Sequence, residues 1–194
     1  MKTLIKSLLL FVLFGCFVSC NNATKSSKNA TNGTTTDETL TEKTGQAFIK
    51  DVGGTPNALQ LAIQSKDHST LVAAVQAAGV ENALVNVGPL TVFAPNNAAF
   101  EKIDEATLNS LLEPENKSKL AFILTHHVAP ANYPVDMLKK NAEKGRKLYM
   151  ASGKYLEVTE KDGDLFVDGV KIIGTVNVSN GWVHVTEDVI LPRD

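Results

Sequence analysis

Apolar residues recur at i, i+3 and i+4 in two neighbouring segments, "TPNALQLAIQSK" and "HSTLVAAVQAAG". This spacing predicts two amphipathic helices, because an α-helix turns once in about 3.6 residues. The second helix is predicted to open at His68 or Ser69 and to close at Gly79, a residue type that commonly follows a helix end. The apolar faces carry Leu59, Ala62 and Ile63 in the first helix and Leu71, Ala74, Val75 and Ala78 in the second.

A short strand and further helices are predicted next. "LTVFAP" is an apolar run between a Gly-Pro break and a proline, which is typical of a short strand. Asn96 or Asn97 is predicted to cap the helix in "NNAAFEKI", because an Asn side chain accepts hydrogen bonds from the free N–H groups of a helix start. "DEATLNSLLEPENKSKLAFILTHHV" keeps helical spacing; Pro114 divides it into two helices, and Pro130 is predicted to end the second.

The second half of the chain has the pattern of strands. "KLYMAS" and "KYLEVTE" alternate polar and apolar residues, and "KDGD" is typical of a turn. Asp168-Gly169 and Asn180-Gly181 each predict a hairpin with a two-residue turn that needs positive φ. Helices followed by antiparallel strands predict an α+β domain in which helices pack against a sheet.

The N-terminus has the pattern of an export signal. Residues 1–20 carry two lysines and then an apolar run too short to cross a membrane. The run ends at "VSC", which resembles a bacterial lipobox, and Cys20 is the predicted lipid-attachment residue. Cys16 in "LFGC" is a competing site, but the polar sequence begins directly after Cys20. An ordinary secretory signal with incidental cysteines is the alternative.

Composition divides the remaining chain into a linker and one domain. Residues 21–46 are rich in Asn, Thr, Ser, Gly and Lys, and they lack the apolar side chains needed for a core, which predicts a flexible polar linker. Residues 47–194 have the length of a single domain. From Pro56 onward the chain has 13 Lys and Arg against 17 Asp and Glu, a net charge of −4. This acidity argues against a nucleic-acid partner, which needs a basic patch.

The sequence contains no catalytic signature. It has no G-x-S-x-G, phosphate-binding loop, dinucleotide fingerprint or H-E-x-x-H, and both cysteines lie in the signal region. Two adjacent histidines on a helix, as predicted for His126 and His127, point about 100° apart and do not readily share one metal ion. A long-range metal site built from His127 and His184 stays open, beside the commoner role of histidine as a hydrogen-bonding group. We therefore expect no enzyme activity, cofactor or resident metal.

Three segments, in order, resemble the signatures of the fasciclin (FAS1) domain family: "GPLTVFAPNNAAFEKI", "LAFILTHHVAPANYPVDML" and "VNVSNGWVHVTEDVILP". The resemblance covers about residues 50–192. It implies a single α+β FAS1 domain with an antiparallel β-wedge and a helical layer. It also implies a non-enzymatic, extracellular or membrane-anchored module for adhesion or for binding protein or matrix. Some relatives are linked to apolar pigments, so a binding module for an apolar lipid or pigment is the alternative.

The middle motif of the resemblance points to a contact surface. His127, Val128 and Pro130 match this motif, whereas His126 stands where the family usually has tyrosine. The implied partner is a protein or polysaccharide of the envelope, the matrix or another cell surface. Together with the lipobox, this places the protein in the cell envelope, at the outer membrane or facing the periplasm. The implied surface consists of Leu124, His126, His127, Val128 and Tyr133.

Two positions depart from the family pattern. Asn97 stands where Asp is common, a mild change because either residue can cap a helix. Thr175 stands where an acidic residue is frequent, so a polar contact from this position is expected to be lost. His127 and His184 can each donate and accept a hydrogen bond, and both are expected to tie a helix end to the sheet.

Overall fold

The computed structural model describes residues 54–193. The predicted signal peptide (1–20) with Cys16 and Cys20, the linker (21–46) and the first residues of the predicted domain (47–53) lie outside the described residues. Among the residues that are described, none of the helices has the length and apolar character needed to cross a membrane.

Within the described residues, the helices lie in the first and middle parts of the chain. A 3-10 turn at Lys66–His68 precedes the second helix, and another at Pro114–Asn116 precedes the sixth. The α-helices are α1 (Ala58–Gln64), α2 (Ser69–Ala78), α3 (Glu81–Val85), α4 (Asn97–Glu101), α5 (Glu105–Leu112), α6 (Lys117–Thr125) and α7 (Val135–Glu143).

The strands form a six-stranded sheet and a separate two-stranded sheet. In the larger sheet the order is β2-β1-β8-β7-β6-β5, and β3 pairs with β4 in the smaller one. All pairs are antiparallel except β1 and β8, which run parallel. The strands are β1 (Leu90–Pro95), β2 (Val128–Ala129), β3 (Leu148–Tyr149), β4 (Tyr155–Leu156), β5 (Val158–Lys161), β6 (Asp164–Val167), β7 (Val170–Val178) and β8 (Gly181–Thr186).

Strand β1 is buried along its whole length and contributes to two cores. Successive side chains of a strand point to opposite faces, so its residues divide between them. Leu90 and Val92 pack in a first cluster with the helices α1, α2 and α6, and Phe93 packs in a second with Leu138 and Leu148. The helical layer and the small sheet therefore cover different faces of the same buried strand.

Most predicted helix limits are confirmed. Gly79 ends α2 in the left-handed conformation at φ 68°, and the break at Pro114 separates α5 from α6. Asn96 rather than Asn97 caps α4, because its side chain accepts from the N–H of Ala99 at 2.9 Å. Asn97 is the first residue of that helix, and its side chain hydrogen-bonds to an earlier segment of the chain.

Two helix predictions need correction. The helix α6 ends at Thr125, before both histidines, and Pro130 follows strand β2, so the prediction that Pro130 ends this helix was wrong. The helix α7 was missed, although Val135, Leu138 and Ala142 recur at helical spacing and Leu138 is fully buried. The sequence pattern did not indicate this helix, because a proline precedes it and its outer face is strongly polar.

One predicted turn is confirmed and the other is shifted. Asp168 and Gly169 both have positive φ and join β6 to β7, as predicted. In the next hairpin Val178 pairs with Gly181, so Ser179 and Asn180 form the turn and Gly181 is already the first residue of β8. The prediction that Asn180-Gly181 forms the turn was therefore wrong by one residue.

Gly181 is required by close packing as well as by its φ of 145°. It lies beside Leu90 at the start of the parallel β1–β8 pair, and a Cβ at this position would overlap the Leu90 carbonyl. Residues other than glycine rarely adopt this conformation. The parallel pairing of β1 and β8 therefore depends on a residue without a side chain.

We predict that Gly181→Ala lowers the free energy of unfolding by about 3–5 kcal/mol, because backbone strain and overpacking act together. Gly153→Ala is the matched control, since Gly153 also has positive φ but has open space around it. The control is expected to cost about 1–2 kcal/mol. Urea unfolding followed by circular dichroism measures both, and equal losses would show that the contact with Leu90 is not the constraint.

Candidate functional site

His127 joins the end of helix α6 to the C-terminal segment. Its Nδ1 lies 2.8 Å from the carbonyl oxygen of Ile123, and its Nε2 lies 2.9 Å from the backbone N of Ile190. A carbonyl only accepts and an N–H only donates, so Nδ1 carries the proton and Nε2 accepts. Burial lowers the pKa of His127 to about 4, although the bond to Ile123 opposes this shift. The ring is therefore neutral at neutral pH, with both nitrogens in use.

His184 connects strand β8 to the loop before α7. Its Nε2–H donates to the Tyr133 carbonyl at 2.8 Å, and its Nδ1 accepts from the Thr175 hydroxyl at 2.9 Å. The ring is fully buried and stacks on Phe93, with 5.5 Å between the centroids. Burial lowers the pKa of His184. The expected loss of a polar contact at Thr175 was wrong, because its hydroxyl contacts this ring.

His126 faces away from its neighbour. Its Nδ1 lies 2.9 Å from the Ser152 hydroxyl in the loop between β3 and β4, and its ring stacks on Phe122 with 6.3 Å between the centroids. Burial lowers the pKa of His126, and the carboxylate of Asp168 opposes this shift. His126 therefore attaches the small sheet to the end of helix α6.

The residues predicted to form a contact surface are mostly buried. Leu124, His126, His127 and Val128 have exposed fractions of 6%, 3%, 2% and 6%, and only Tyr133 is half-buried. The implied surface at these residues is therefore corrected: their side chains serve packing and internal hydrogen bonds.

An exposed pair of tyrosines lies on the small sheet near this segment. Tyr149 and Tyr155 pair across β3 and β4, with 5.3 Å between ring centroids and exposed fractions of 48% and 62%. Leu148 and Leu156 point to the opposite, buried face. The alternation of polar and apolar residues in "KLYM" and "KYLEV" is consistent with this exposed pair, because residues two apart share one face of a strand.

The geometry does not assemble the metal site that the sequence left open. Both ring nitrogens of His127 and of His184 hydrogen-bond to other groups of the protein. Across residues 54–193, no group of three or more His, Cys, Asp or Glu side chains is placed to hold a metal ion. These two histidines therefore act as internal connections.

A cavity of about 130 Å³ lies between helices α1 and α2 and the strands β1, β7 and β8. Its side chains are aliphatic except for Ser65 and His68. An engineered apolar cavity of similar size, about 150 Å³, stays dry and binds benzene. The aliphatic part of the wall includes Leu59, Leu71, Val75, Leu84, Val92 and Val183.

Comparison with known proteins agrees with the resemblance seen in the sequence. Residues 66–192 match the family model of the fasciclin domain. Protein sll1483 of Synechocystis sp. is 38% identical over 155 residues, which are 78% of this chain and 83% of that protein. The cell surface glycolipoprotein MPB83 of Mycobacterium bovis is 30% identical over 109 residues, 56% of this chain and 46% of that protein.

A solved structure confirms the fold. The FAS1 domain pair from the insect cell adhesion molecule Fasciclin I superposes with a TM-score of 0.63 at 18% identity, covering 71% of this chain and 51% of that one. The predicted α+β fold, with a largely antiparallel sheet and a helical layer, is therefore correct. At this identity the match concerns the fold alone.

We predict that His127→Ala lowers the free energy of unfolding by about 3 kcal/mol or more, because the Ile190 N–H and the Ile123 carbonyl lose their partner in a buried place. His126→Tyr is the comparison variant. It gives up one hydrogen bond, to Ser152, and is expected to stay folded at a cost of about 1 kcal/mol. Urea unfolding at pH 7 measures both, and a His127→Ala midpoint equal to that of the wild type would refute the assigned role.

We predict that acid destabilises the domain before its carboxylates titrate. The ordinary pKa of a histidine is 6.5, whereas the pKa of His127 in the folded protein is about 4. The unfolded chain therefore binds more protons than the folded protein between these two pH values. Stability is therefore complete above pH 6.5 and falls as the pH drops toward 4, by about 2 kcal/mol between pH 7 and pH 5 from this residue. His184 shifts in the same direction. Urea midpoints at the two pH values, with NMR of the His127 ring, measure the effect; a ring protonated at pH 5 in the folded protein would contradict it.

Proposed function

The chain belongs to the fasciclin domain family, and on that premise we propose that it is a lipid-anchored, non-enzymatic module that acts outside the cytoplasm in adhesion. In this proposal the partner is a protein or polysaccharide of the envelope, the matrix or another cell surface. The anchored protein lies in the cell envelope, at the outer membrane or facing the periplasm.

The lipid anchor is supported by the N-terminal sequence. Two lysines, an apolar run and "VSC" precede a polar stretch, and this order suits lipid attachment at Cys20. The name of the relative MPB83 describes that protein as a cell surface glycolipoprotein. More than one acyl chain gives a stable anchor, whereas a single chain binds a membrane only marginally.

The contact surface that we propose is the tyrosine hairpin, defined as residues 146–156. Aromatic side chains supply a large contact area at a low cost in conformational entropy, and tyrosine is enriched at protein interfaces. Tyr149 and Tyr155 stand side by side and exposed, and the exposed Arg146, Lys147 and Lys154 add positive charge near them. This exposed aromatic pair is the observation that carries the proposal, and it favours a partner with sugar rings or acidic groups.

A second candidate function is the binding of an apolar small molecule. The cavity between α1, α2 and the sheet favours it, because its wall is almost wholly aliphatic.

We predict that Tyr149→Ser combined with Tyr155→Ser reduces capture of an envelope partner at least about tenfold, because central aromatic residues carry much of the binding energy of an interface. Full-length protein on beads is mixed with disrupted envelopes, and bound protein and polysaccharide are measured. The hairpin variant keeps its buried leucines and is expected to stay folded by circular dichroism.

The matched control is Ile173→Ser combined with Leu191→Ser, which removes two exposed apolar side chains elsewhere. It is expected to bind like the wild type; equal loss of binding in both double variants would reject the tyrosine hairpin as the contact surface.

The lipid anchor is tested separately, in cells that produce these proteins. Labelled palmitate is expected in the wild type and in the hairpin variant and is expected to be absent from Cys20→Ala. An unlabelled wild type would reject the anchor without affecting the binding result.

A further inference from the structure

Positive charge in the domain is concentrated around the tyrosine hairpin. Residues 139–157 contain six Lys or Arg against two Glu, a net charge of +4. The rest of the chain from Pro56 onward contains seven Lys or Arg against fifteen Asp or Glu, a net charge of −8. A surface region of one sign raises the local concentration of partners of the opposite sign. The hairpin therefore belongs to a cationic region on an otherwise acidic domain.

Most of these cations have no acidic partner within the domain. Lys139 forms an ion pair with Glu160, with 3.5 Å between its Nζ and a carboxylate oxygen. The other five are exposed and form no salt bridge within residues 54–193, and we call them the basic cluster: Lys140, Lys144, Arg146, Lys147 and Lys154. Cations without an internal partner remain available to an anion from outside.

The small sheet places part of the basic cluster next to the exposed aromatic rings. Arg146 and Lys147 lead directly into β3, which contains Tyr149, and Lys154 directly precedes Tyr155 of β4. The two strands pair in antiparallel register, with Tyr149 opposite Tyr155. Cations therefore approach the pair of rings along both strands.

The exposed chemistry of the hairpin favours sugar rings over a bilayer or a protein. A peripheral contact with a bilayer buries apolar side chains, and the large aliphatic residues of the hairpin, Leu148, Met150 and Leu156, are buried in the domain. The core of a protein interface is depleted of lysine, whereas Lys147 and Lys154 lie within two residues of a tyrosine. Aromatic rings have negative faces, which attract the partly positive C–H groups of a sugar ring. Carboxylates on that sugar form charge-assisted hydrogen bonds with lysine and arginine.

We propose that the tyrosine hairpin and the basic cluster bind an acidic polysaccharide, whose sugar rings stack on Tyr149 and Tyr155 while its carboxylates contact the cations. A polysaccharide with an acidic group on each unit engages several cations at once, and linked contacts strengthen one another. This inference rests on the proposed adhesion function and names the chemical class of its partner.

The test uses polygalacturonate, a chain of sugar rings that each bear a carboxylate. Full-length protein in micelles of a neutral detergent is titrated with it, and with two probes of matched chain length: polyglutamate, which has carboxylates without sugar rings, and dextran, which has sugar rings without charge. Polygalacturonate is expected to bind at least about tenfold more tightly than either, because it alone engages both the rings and the cations. Its affinity is expected to fall about tenfold or more between about 50 and about 200 mM salt, since contacts with a polyanion release counterions.

Two variants separate the rings from the cations. Tyr149→Ser combined with Tyr155→Ser is expected to lower the affinity for polygalacturonate at least about tenfold, to the level of polyglutamate. Lys144→Gln combined with Arg146→Gln and Lys147→Gln is expected to lower it by a similar factor and to remove much of the salt dependence.

The matched control is Lys66→Gln combined with Lys117→Gln and Lys119→Gln, which removes the same charge from exposed positions outside residues 139–157. It is expected to bind polygalacturonate like the wild type. An equal loss of affinity in the control would show that only the net charge of the protein matters, and would overturn the proposal.

The remaining outcomes distinguish the polysaccharide from other partners. Equally tight binding of polyglutamate, or tighter binding of phosphatidylglycerol vesicles, would overturn the proposal in favour of an acidic protein or a membrane. If polygalacturonate does not bind but capture from envelopes still depends on the tyrosines, the polysaccharide is rejected and the adhesion proposal stands. If the wild type captures nothing from envelopes either, both proposals are rejected.

Discussion

The backbone contact between Gly181 and Leu90 is the constraint on which the rest of the domain depends. It sets the parallel register of β1 and β8, two interior strands of the large sheet. The preceding residue, Asn180, extends this junction: its side chain accepts from the Ala58 N–H at 3.0 Å and donates to the Leu84 carbonyl at 2.9 Å. The start of α1 and the end of α3 are therefore attached to the same point of the sheet, and a residue with a side chain at 181 would push this junction apart.

Two buried histidines also join distant segments of the domain, at places away from that junction. His127 ties α6 to the backbone of Ile190, and His184 ties β8 to the carbonyl of Tyr133. The bonds of His127 need a neutral ring, because its Nε2 accepts from the Ile190 N–H, and burial lowers the pKa of both rings. Both nitrogens of each ring bond to other groups of the protein, so these two histidines hold separate segments of the domain together.

Turns and helix ends could be predicted from the sequence, whereas contacts between distant segments could not. Gly79 and the Asp168-Gly169 turn were predicted correctly because each reflects a backbone conformation that its own residue type permits. The parallel β1–β8 pair joins strands from opposite ends of the domain, and no local pattern encodes it. The burial of His126 was missed for the same reason: the side chain that meets it, Ser152, lies in a separate hairpin.

The two proposed functions use different faces of one strand. Val92 of β1 lines the cavity, while Phe93 packs in the same cluster as Leu148 and Leu156, the residues beneath the exposed tyrosines. Alternation along β1 therefore places the two binding regions on opposite sides of a buried strand. Substitutions that lie apart and share no partners act independently, so a change at an exposed tyrosine is expected to leave the cavity wall undisturbed. In these two proposals, the cavity on the helical side of β1 takes the small molecule and the small sheet presents the contact surface.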